Sequence, residues 1–304
     1  MITLPRRLLE NIRRHWQLYL MALPGLAIIL LFNYVPMYGV QIAFRKYSFS
    51  TGFSGGQWVG WKYFEKFFRS YQFSSLIRNT LSVSLTTIIF SFPMPIVLAL
   101  LFNKIRNKRR QKLMQTVVYL PHFISTVVLV SIMTMMMSSN SGIIGQWAIQ
   151  LGYSGVLMGD PELFVPIYVL SDIWQHAGWN SIIYIAALSS IDSSIYESCY
   201  IDGASTWQIV RYIDLPCLVP TMMVLLILTM GSVLGVGFEK VYLMQNSLNL
   251  SVSEIISTYV YKIGLQSNQY SYSAAISLFN NIINFFMVFL MNLIARKCAG
   301  ISIW

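Results

Sequence analysis

Long apolar runs recur along the whole chain and constrain its fold more than any other feature. Six of them lie at about 16–43, 75–102, 114–137, 164–188, 217–237 and 273–295. About 20 apolar residues in a helix cross the hydrocarbon core of a bilayer, which is about 30 Å thick. Because 56% of the residues are hydrophobic and only 11% are charged, the sequence predicts an all-α membrane protein. A single transmembrane domain with six spans would occupy residues 1–304.

The positive charges predict the orientation of these spans. Lys and Arg concentrate in the cytoplasmic loops of membrane proteins, and the short segment 103–113 holds six of them. An even number of spans places both termini on the side of this segment, so the N and C termini are predicted to be cytoplasmic. The formal net charge of +10 therefore indicates topology and does not predict nucleic-acid binding. The basic residues predicted on the cytoplasmic side are Arg6, Arg7, Arg13, Arg14, Lys104, Arg106, Lys108, Arg109, Arg110, Lys112, Arg211, Arg296 and Lys297.

Three longer segments, 44–74, 138–163 and 238–272, are predicted to be external. The first is rich in aromatic residues, which suit the membrane interface; they are Trp58, Trp61, Tyr63, Phe64, Phe67 and Phe68. Each of the other two is long enough for a short helix that lies on the membrane or packs on its neighbours.

The loop at 189–216, between the fourth and fifth spans, is unusually poor in positive charge for a cytoplasmic loop. Its one basic residue is Arg211. Gly203 allows a sharp change of chain direction, so two short helices are predicted on either side of it. Pro216 cannot continue a helix interior without losing a hydrogen bond, and is predicted to begin the fifth span. A partly acidic, amphipathic element of this kind is suited to docking into a groove on a soluble partner.

The spacing of residues in this loop resembles the EAA signature of the permeases of binding-protein-dependent ABC importers. Glu197 is followed after six residues by Gly203, after ten more by Ile213, and then by Leu215 and Pro216. The resemblance extends beyond the loop and covers essentially the whole chain.

Other segments refine this resemblance. Asp202-Gly203-Ala204 is similar to the carbohydrate branch of the family, and residues 19–44 and 59–64 resemble permeases that handle complex oligosaccharides and polysaccharide fragments. The tail at 301–304 is similar to the short tails of the same group. One departure is Ser198-Cys199, where two alanines are usual; both side chains are small, so close packing is retained.

The resemblance implies a fold, a function and partners. The fold would be that of a type I ABC importer permease, a multi-pass protein of the bacterial cell membrane that forms half of the translocation pathway for an oligosaccharide. Its partners would be a homologous second permease, two ABC ATPase subunits and an extracytoplasmic solute-binding protein. Glu197 would pair with a basic residue of the ATPase. The residues implied in ATPase coupling are Glu197, Asp202, Gly203, Ala204, Trp207, Arg211, Leu215 and Pro216.

The sequence contains no phosphate-binding loop of the form GxxxxGK[ST], so the chain is not expected to cradle ATP phosphates in that way. ATP and Mg would be used by partner subunits, and this chain is expected to bind no cofactor or metal of its own. No Asp, His and Ser are arranged as a catalytic triad, so the chain is not expected to be an enzyme.

Polar residues inside the predicted spans are candidates for the translocation pathway, because such groups are costly in a membrane and are often functional. In the fourth span, Asp172 and His176 share a helix face. Amides and carboxylates can bond sugar hydroxyls while aromatic rings stack on sugar rings. Contacts between helices are the alternative role for the same residues. The candidates are Asp172, Trp174, His176, Asn180, Asn280 and Asn284.

Two other functions remain open from the sequence, and a third, a membrane-embedded enzyme, is disfavoured because no catalytic constellation is found. The importer could carry an amino acid or a peptide instead of an oligosaccharide. A secondary transporter would show clustered carboxylates within the spans, whereas Asp172 is the one clearly intramembrane carboxylate. A membrane-embedded enzyme would need a catalytic constellation near one interface.

Overall fold

A computed structural model describes residues 14–50, 52–105, 107–235, 237–300 and 302. Within these residues the secondary structure is helical, and the β-structure consists of one isolated bridge between Arg45 and Trp58. The all-α prediction is confirmed for this part of the chain. The sequence predictions that fall on Arg6, Arg7, Arg13, Arg106, Ile301, Ile303 and Trp304 lie outside the described residues.

Helices cover most of each of the six predicted apolar segments. We label the main helices α1 (Trp16–Phe44), α2 (Lys62–Phe68), α3 (Phe73–Asn103), α4 (Lys108–Phe123), α5 (Thr126–Met136), α6 (Ile143–Gln150), α7 (Pro161–Ser189), α8 (Ser193–Ile201), α9 (Thr206–Met230), α10 (Phe238–Met244), α11 (Ile256–Tyr261) and α12 (Tyr270–Ala299). Shorter helical turns lie at Gly52–Gly55, Leu157–Gly159, Val233–Gly235, Leu250–Ser253 and Lys262–Gln266.

Four of these helices, α1, α3, α9 and α12, are long and apolar enough to cross a membrane, and α4 with α5 make a fifth if the bent pair is one span. Helix α7 has 29 residues and at 1.5 Å per residue is about 43 Å long. Polar side chains in its middle, including Asp172 and Gln175, lower its hydropathy. Among the described residues, length and composition therefore support four or five spans, and the predicted six is not confirmed.

The third predicted span, 114–137, is not one straight helix. Helix α4 begins at Lys108, inside the segment predicted as a loop, and α4 and α5 meet at an angle of 94°. Pro121 lies where the helix tightens into a 3-10 turn, and Ile124 is extended. The bend leaves the Ile124 carbonyl without a partner in its own helix. The Nε2 of the buried Gln175 on α7 donates to this carbonyl at 2.8 Å and so satisfies it.

The fifth span also differs from its predicted bounds of 217–237. Helix α9 starts at Thr206, within the predicted loop, and ends at Met230. Its turn at Val210–Asp214 is π-helical, and the Leu215 N–H donates to the Val210 carbonyl. A π turn pairs each carbonyl with the N–H of the residue five positions ahead. Pro216 therefore lies within a continuous helix and does not begin one.

Helix α7 lies at the centre of the bundle and packs against α3, α4 and α9. Asp160 caps its N-terminus by accepting from the Glu162 N–H at 2.8 Å, and Pro161 occupies its first turn. A Cβ on Gly178 would lie 2.1 Å from the Val118 carbonyl oxygen. The absence of a side chain at Gly178 therefore lets the backbones of α4 and α7 approach closely.

The predicted external segments pack onto this bundle. In the first of them, Phe64 and Phe67 are buried against α12, whereas Trp58 and Trp61 are exposed. In the last, Val241 and Met244 of α10 join a core with α5 and α7. These outer helices are thus fixed parts of the fold and provide walls for a cavity described below.

Candidate functional site

Helix α8 and the first turns of α9 form a helical hairpin, the α8–α9 hairpin, whose turn is held by backbone hydrogen bonds. The Ala204 N–H donates to the Cys199 carbonyl at 2.9 Å and the Gly203 N–H to the Tyr200 carbonyl at 3.2 Å. This pair of bonds is a Schellman motif, which requires a left-handed residue after the helix. Gly203 supplies it with φ of 74°. The predicted break at Gly203 between two helices is confirmed.

A second set of bonds starts α9 directly after this turn. Ser205 and Gln208 form a capping box, in which each side chain bonds the other residue's backbone N–H. Capping boxes satisfy N–H groups that the first helical turn leaves unpaired. The turn between the two helices is therefore rigid although it lies on the surface.

The α8–α9 hairpin exposes large apolar side chains next to charged ones. Ile201 is 85% exposed and Trp207 is 69% exposed, and the carboxylates of Glu197 and Asp202 are exposed on the same element. Of the eight predicted coupling residues, Ala204 and Leu215 are half-buried. The other six are exposed and lie on one surface element: Glu197, Asp202, Gly203, Trp207, Arg211 and Pro216.

A buried ionic contact anchors the hairpin to the C-terminal end of α3. Asp214 is fully buried, and its Oδ2 lies 2.6 Å from the Nζ of Lys104. The Tyr196 hydroxyl donates to Asp214 Oδ1 at 2.7 Å and accepts from the Asn103 Nδ2 at 3.4 Å. Burial, and then the hydrogen bond to Asp214, raise the pKa of Tyr196. We call Asn103, Lys104, Tyr196 and Asp214 the anchor.

Sequence reasoning did not find this anchor. The sequence indicates Lys104 as one of several basic residues on the cytoplasmic side and does not indicate that Asp214 is its partner. One signal in the sequence could have indicated it. Asp214 directly precedes Leu215-Pro216, where an apolar span begins, and a carboxylate buried there needs a cation nearby.

A cavity of about 270 Å³ with both apolar and polar walls lies between α3, α7 and α9; we call it the α3/α7/α9 cavity. Asp172 and Asn180, two predicted pathway residues, line it together with Thr87 and Thr229. A third predicted pathway residue, His176, is not part of the lining but contacts Asp172. Its Nδ1 lies 3.2 Å from Oδ1 of Asp172. The predicted sharing of a helix face by these two residues is confirmed.

Two aromatic rings that the sequence did not single out as pathway residues lie beside this pair. His122, at the α4–α5 bend, stacks on Trp179 with ring centroids 4.6 Å apart, and it also contacts the His176 ring at 5.6 Å. The bend between α4 and α5 therefore carries His122 to α7. Only the tertiary fold reveals this contact, because His122 and Trp179 are distant in the sequence.

The remaining predicted pathway residues are dispersed. Trp174 is two residues from Asp172, hence on the opposite side of α7, and is exposed. Asn284 is buried, and its Oδ1 accepts from the Leu234 N–H at 3.0 Å, which ties α12 to the turn after α9. Asn280 lines a different cavity, between α11 and α12. The six residues predicted as one lining thus do not meet in one place.

The described residues contain no group of three or more His, Cys, Asp and Glu side chains that could hold a metal ion. The free thiols of Cys199 and Cys217 lie in the α8–α9 hairpin and at the start of the apolar part of α9. The contacts in both candidate regions are thus hydrogen bonds, ion pairs and aromatic stacking.

Comparison with known proteins identifies the class to which this fold and hairpin belong. The family of binding-protein-dependent transport system inner membrane components matches residues 91–300. The chain belongs to this family, and the resemblance inferred from the EAA spacing is confirmed. It is a multi-pass permease component of an ABC importer in the bacterial membrane.

Individual relatives are similar over nearly the whole chain. The protein LplB of Bacillus subtilis (strain 168) is 42% identical over 287 residues, covering 94% of this chain and 90% of that one. The polygalacturonan/rhamnogalacturonan transport system permease protein YteP of the same organism is 40% identical over 293 residues, covering 96% and 91%. Family membership decides against a secondary transporter.

Solved structures agree with this assignment. A chain of a bacterial ABC transporter involved in the import of the acidic polysaccharide alginate has a TM-score of 0.88 and 39% identity, covering 96% of this chain and 99% of that chain. A chain of the bacterial alginate ABC transporter in complex with its alginate pentasaccharide-bound periplasmic protein has a TM-score of 0.89 and 38% identity, with coverage of 98% and 100%. The fold is therefore that of a type I ABC importer permease.

Proposed function

We propose that this permease forms half of the translocation pathway for an oligosaccharide and couples it to ATP hydrolysis through the α8–α9 hairpin. The observation that carries the coupling proposal is a rigid, exposed hairpin that presents Glu197 and Trp207 to a partner. The oligosaccharide is supported by a relative named for polygalacturonan/rhamnogalacturonan transport and by a similar structure from an alginate importer, and by polar and aromatic groups near the cavity. In this proposal all six apolar segments, including α7, cross the membrane, and both termini are cytoplasmic.

The coupling partner would be a soluble ATPase subunit, which supplies the ATP and Mg chemistry. Trp is enriched among residues that dominate binding energy at interfaces, where it fills pockets on the partner. The exposed Trp207 fits that role, and the exposed carboxylate of Glu197 would pair with a cation at the rim of the same groove. Rigid caps on both sides of Gly203 would let a movement of the ATPase move α9 without unfolding the turn.

A homologous second permease would complete the pathway. The first half of α1, Trp16–Ile29, has no buried residue within this chain. Lipid can cover such a face, but a 14-residue stretch that packs on nothing else is also available to a second transmembrane subunit. An extracytoplasmic solute-binding protein would deliver the substrate to the outer face.

Along the path, Asp172, His176 and Asn180 would border substrate in the α3/α7/α9 cavity, and Asn280 would do so nearer the outer face. Trp174 and Asn284 stay predictions that neither cavity supports. Hydroxyl groups need partners when they leave water, and the carboxylate, imidazole and amide groups of these residues provide them.

Copurification tests the proposal with matched aromatic variants. Trp207→Ala should lower ATPase association at least tenfold, because a central interface aromatic contributes about 2 kcal/mol or more. Tyr71→Ala is the control, since Tyr71 is 90% exposed on the predicted external side. Equal ATPase recovery for both variants would refute the coupling surface. An amino acid or peptide found on the copurified binding protein would refute the oligosaccharide while leaving the coupling intact.

A further inference from the structure

A second cavity lies apart from the one between α3, α7 and α9. Its volume is about 490 Å³, within the range of ligand-binding pockets, and its walls are α11, the π-helical turn after α11, the start of α10 and one face of α12. None of its lining residues lines the α3/α7/α9 cavity. We call it the α11/α12 cavity.

Hydroxyl and amide groups follow one face of α12 into this cavity. Ser273, Ser277, Asn280 and Asn281 contribute from α12, and Ser257 contributes from α11. Residues 273, 277 and 280 are spaced by one helical turn, so their side chains lie one above another. The lining contains no Asp, Glu, Lys, Arg or His, so the polar surface is neutral.

Two of these groups carry unused hydrogen-bonding capacity. The Oδ1 of Asn280 and the Oγ of Ser257 are buried, and neither has a hydrogen-bond partner among the described residues. Buried polar atoms are nearly always paired, and unpaired ones mark places where a ligand or water completes the bonding. An amide oxygen accepts and a hydroxyl both donates and accepts, which matches the hydroxyl groups of a sugar.

An aromatic wall faces the same space. Tyr261 and Phe238 line the cavity, and the Tyr261 ring is held by Phe238 at 5.2 Å and by Tyr242 at 5.1 Å between centroids. Rings fixed in this way present a rigid apolar surface, and a tyrosine adds a polar tip. The C–H face of a sugar ring packs on such a surface while its hydroxyls reach the amides on the opposite wall.

We propose that the α11/α12 cavity is a subsite for an uncharged sugar residue, and that it excludes a sugar carrying a carboxylate. The exclusion follows from the lining, because it offers no cation to offset the hydration that an entering carboxylate would lose, whereas its hydroxyl and amide groups can pair with neutral sugar hydroxyls. This inference rests on the proposed oligosaccharide pathway and sharpens it by stating the charge of a sugar residue that the pathway accepts. At least one residue of the transported oligosaccharide is then neutral.

The test measures protection of a single thiol in the complex as purified. In a background without Cys199, Cys217 and Cys298, Ser277→Cys is labelled with an uncharged maleimide. The probes are trigalacturonic acid and its fully methyl-esterified form, which differ in charge on the same sugar backbone. The ester should slow labelling at least threefold, and the free acid should leave the rate unchanged.

Two controls locate the effect. Asn280→Leu should abolish protection by the ester, because it removes the unpaired acceptor without emptying the space. Ser131→Cys, on α5 outside this cavity, should be labelled at one rate with either probe. Protection by the free acid equal to or stronger than that by the ester would overturn the proposal, as would protection by neither probe.

Failure of the subsite and failure of the proposed function are distinguishable. Absence of protection in a complex that retains its ATPase and its binding protein refutes the subsite alone. Absence of the ATPase from the purified complex refutes the coupling proposal, while the labelling rates still report on the cavity.

Discussion

Replacing Lys104 with methionine should destabilise the chain by leaving Asp214 charged and buried. Asp214 is fully buried, and its contacts are the Lys104 ammonium at 2.6 Å and the Tyr196 hydroxyl at 2.7 Å. Removing one partner of a buried ion pair typically costs about 3–5 kcal/mol. The Lys104 side chain is 23% exposed, so solvent screens part of the interaction and we expect a loss near the lower limit, about 3 kcal/mol.

The measurement is equilibrium unfolding of the purified chain in mixed micelles, followed by tryptophan fluorescence. Lys108→Met is the matched control: Lys108 is exposed, and its ammonium donates only to the Gln111 side chain at 3.4 Å among the described residues. Its loss should change the free energy of unfolding by about 0–1 kcal/mol, as for surface charges.

A double variant separates the buried charge from general damage at this site. Lys104→Met combined with Asp214→Leu removes both charges, and replacing a buried ion pair with apolar residues is often neutral or stabilising. The double variant should therefore recover most of the loss caused by Lys104→Met alone. The reasoning is refuted if Lys104→Met resembles Lys108→Met, or if the double variant is no more stable than Lys104→Met.

Two further predictions concern the hairpin and the topology. Gly203→Val should keep the bundle inserted but reduce ATPase copurification. A Cβ at this position meets open space, but the φ of 74° costs a non-glycine residue about 1–2 kcal/mol. Gly203→Asn, which tolerates this conformation, should retain the ATPase, and equal behaviour of the two variants would contradict the turn's role. In a chain without its native cysteines, Asn107→Cys should resist a membrane-impermeant thiol reagent applied to intact cells whereas Ser70→Cys should react, and reaction at position 107 from outside would overturn the orientation.

The hairpin illustrates what local sequence determines. The Schellman turn at Gly203 and the capping box at Ser205 involve residues at most five positions apart, so their bonding depends on residue types at fixed spacing. The break between the two helices was predictable for that reason, and the EAA spacing led to the correct family. The place of Pro216 within α9 was not predicted, because proline favours the first turn of a helix whereas α9 begins at Thr206.

The pathway residues show the limit of this reasoning. A helical period places Asp172 and His176 on one face, but Trp174 was included although it lies two residues away, on the opposite side. Asn280 and Asn284 share a face of α12, yet one lines a cavity while the other holds the Leu234 backbone. Whether a buried amide lines a cavity or bonds to backbone depends on which segment of the chain packs beside it, and helical spacing does not predict that.

The sequence by itself determined the all-helical class, the approximate positions of the apolar helices and the hairpin. Runs of apolar residues, helix caps and turn residues set these features locally, along the chain. The tertiary structure decided the bend between α4 and α5, the contact between Lys104 and Asp214 and the separation of the two cavities. Each of these joins residues far apart in sequence, such as Gln175 and Ile124 at the bend. Their geometry follows from the rotation and approach of packed helices, which the pattern of any one helix leaves free.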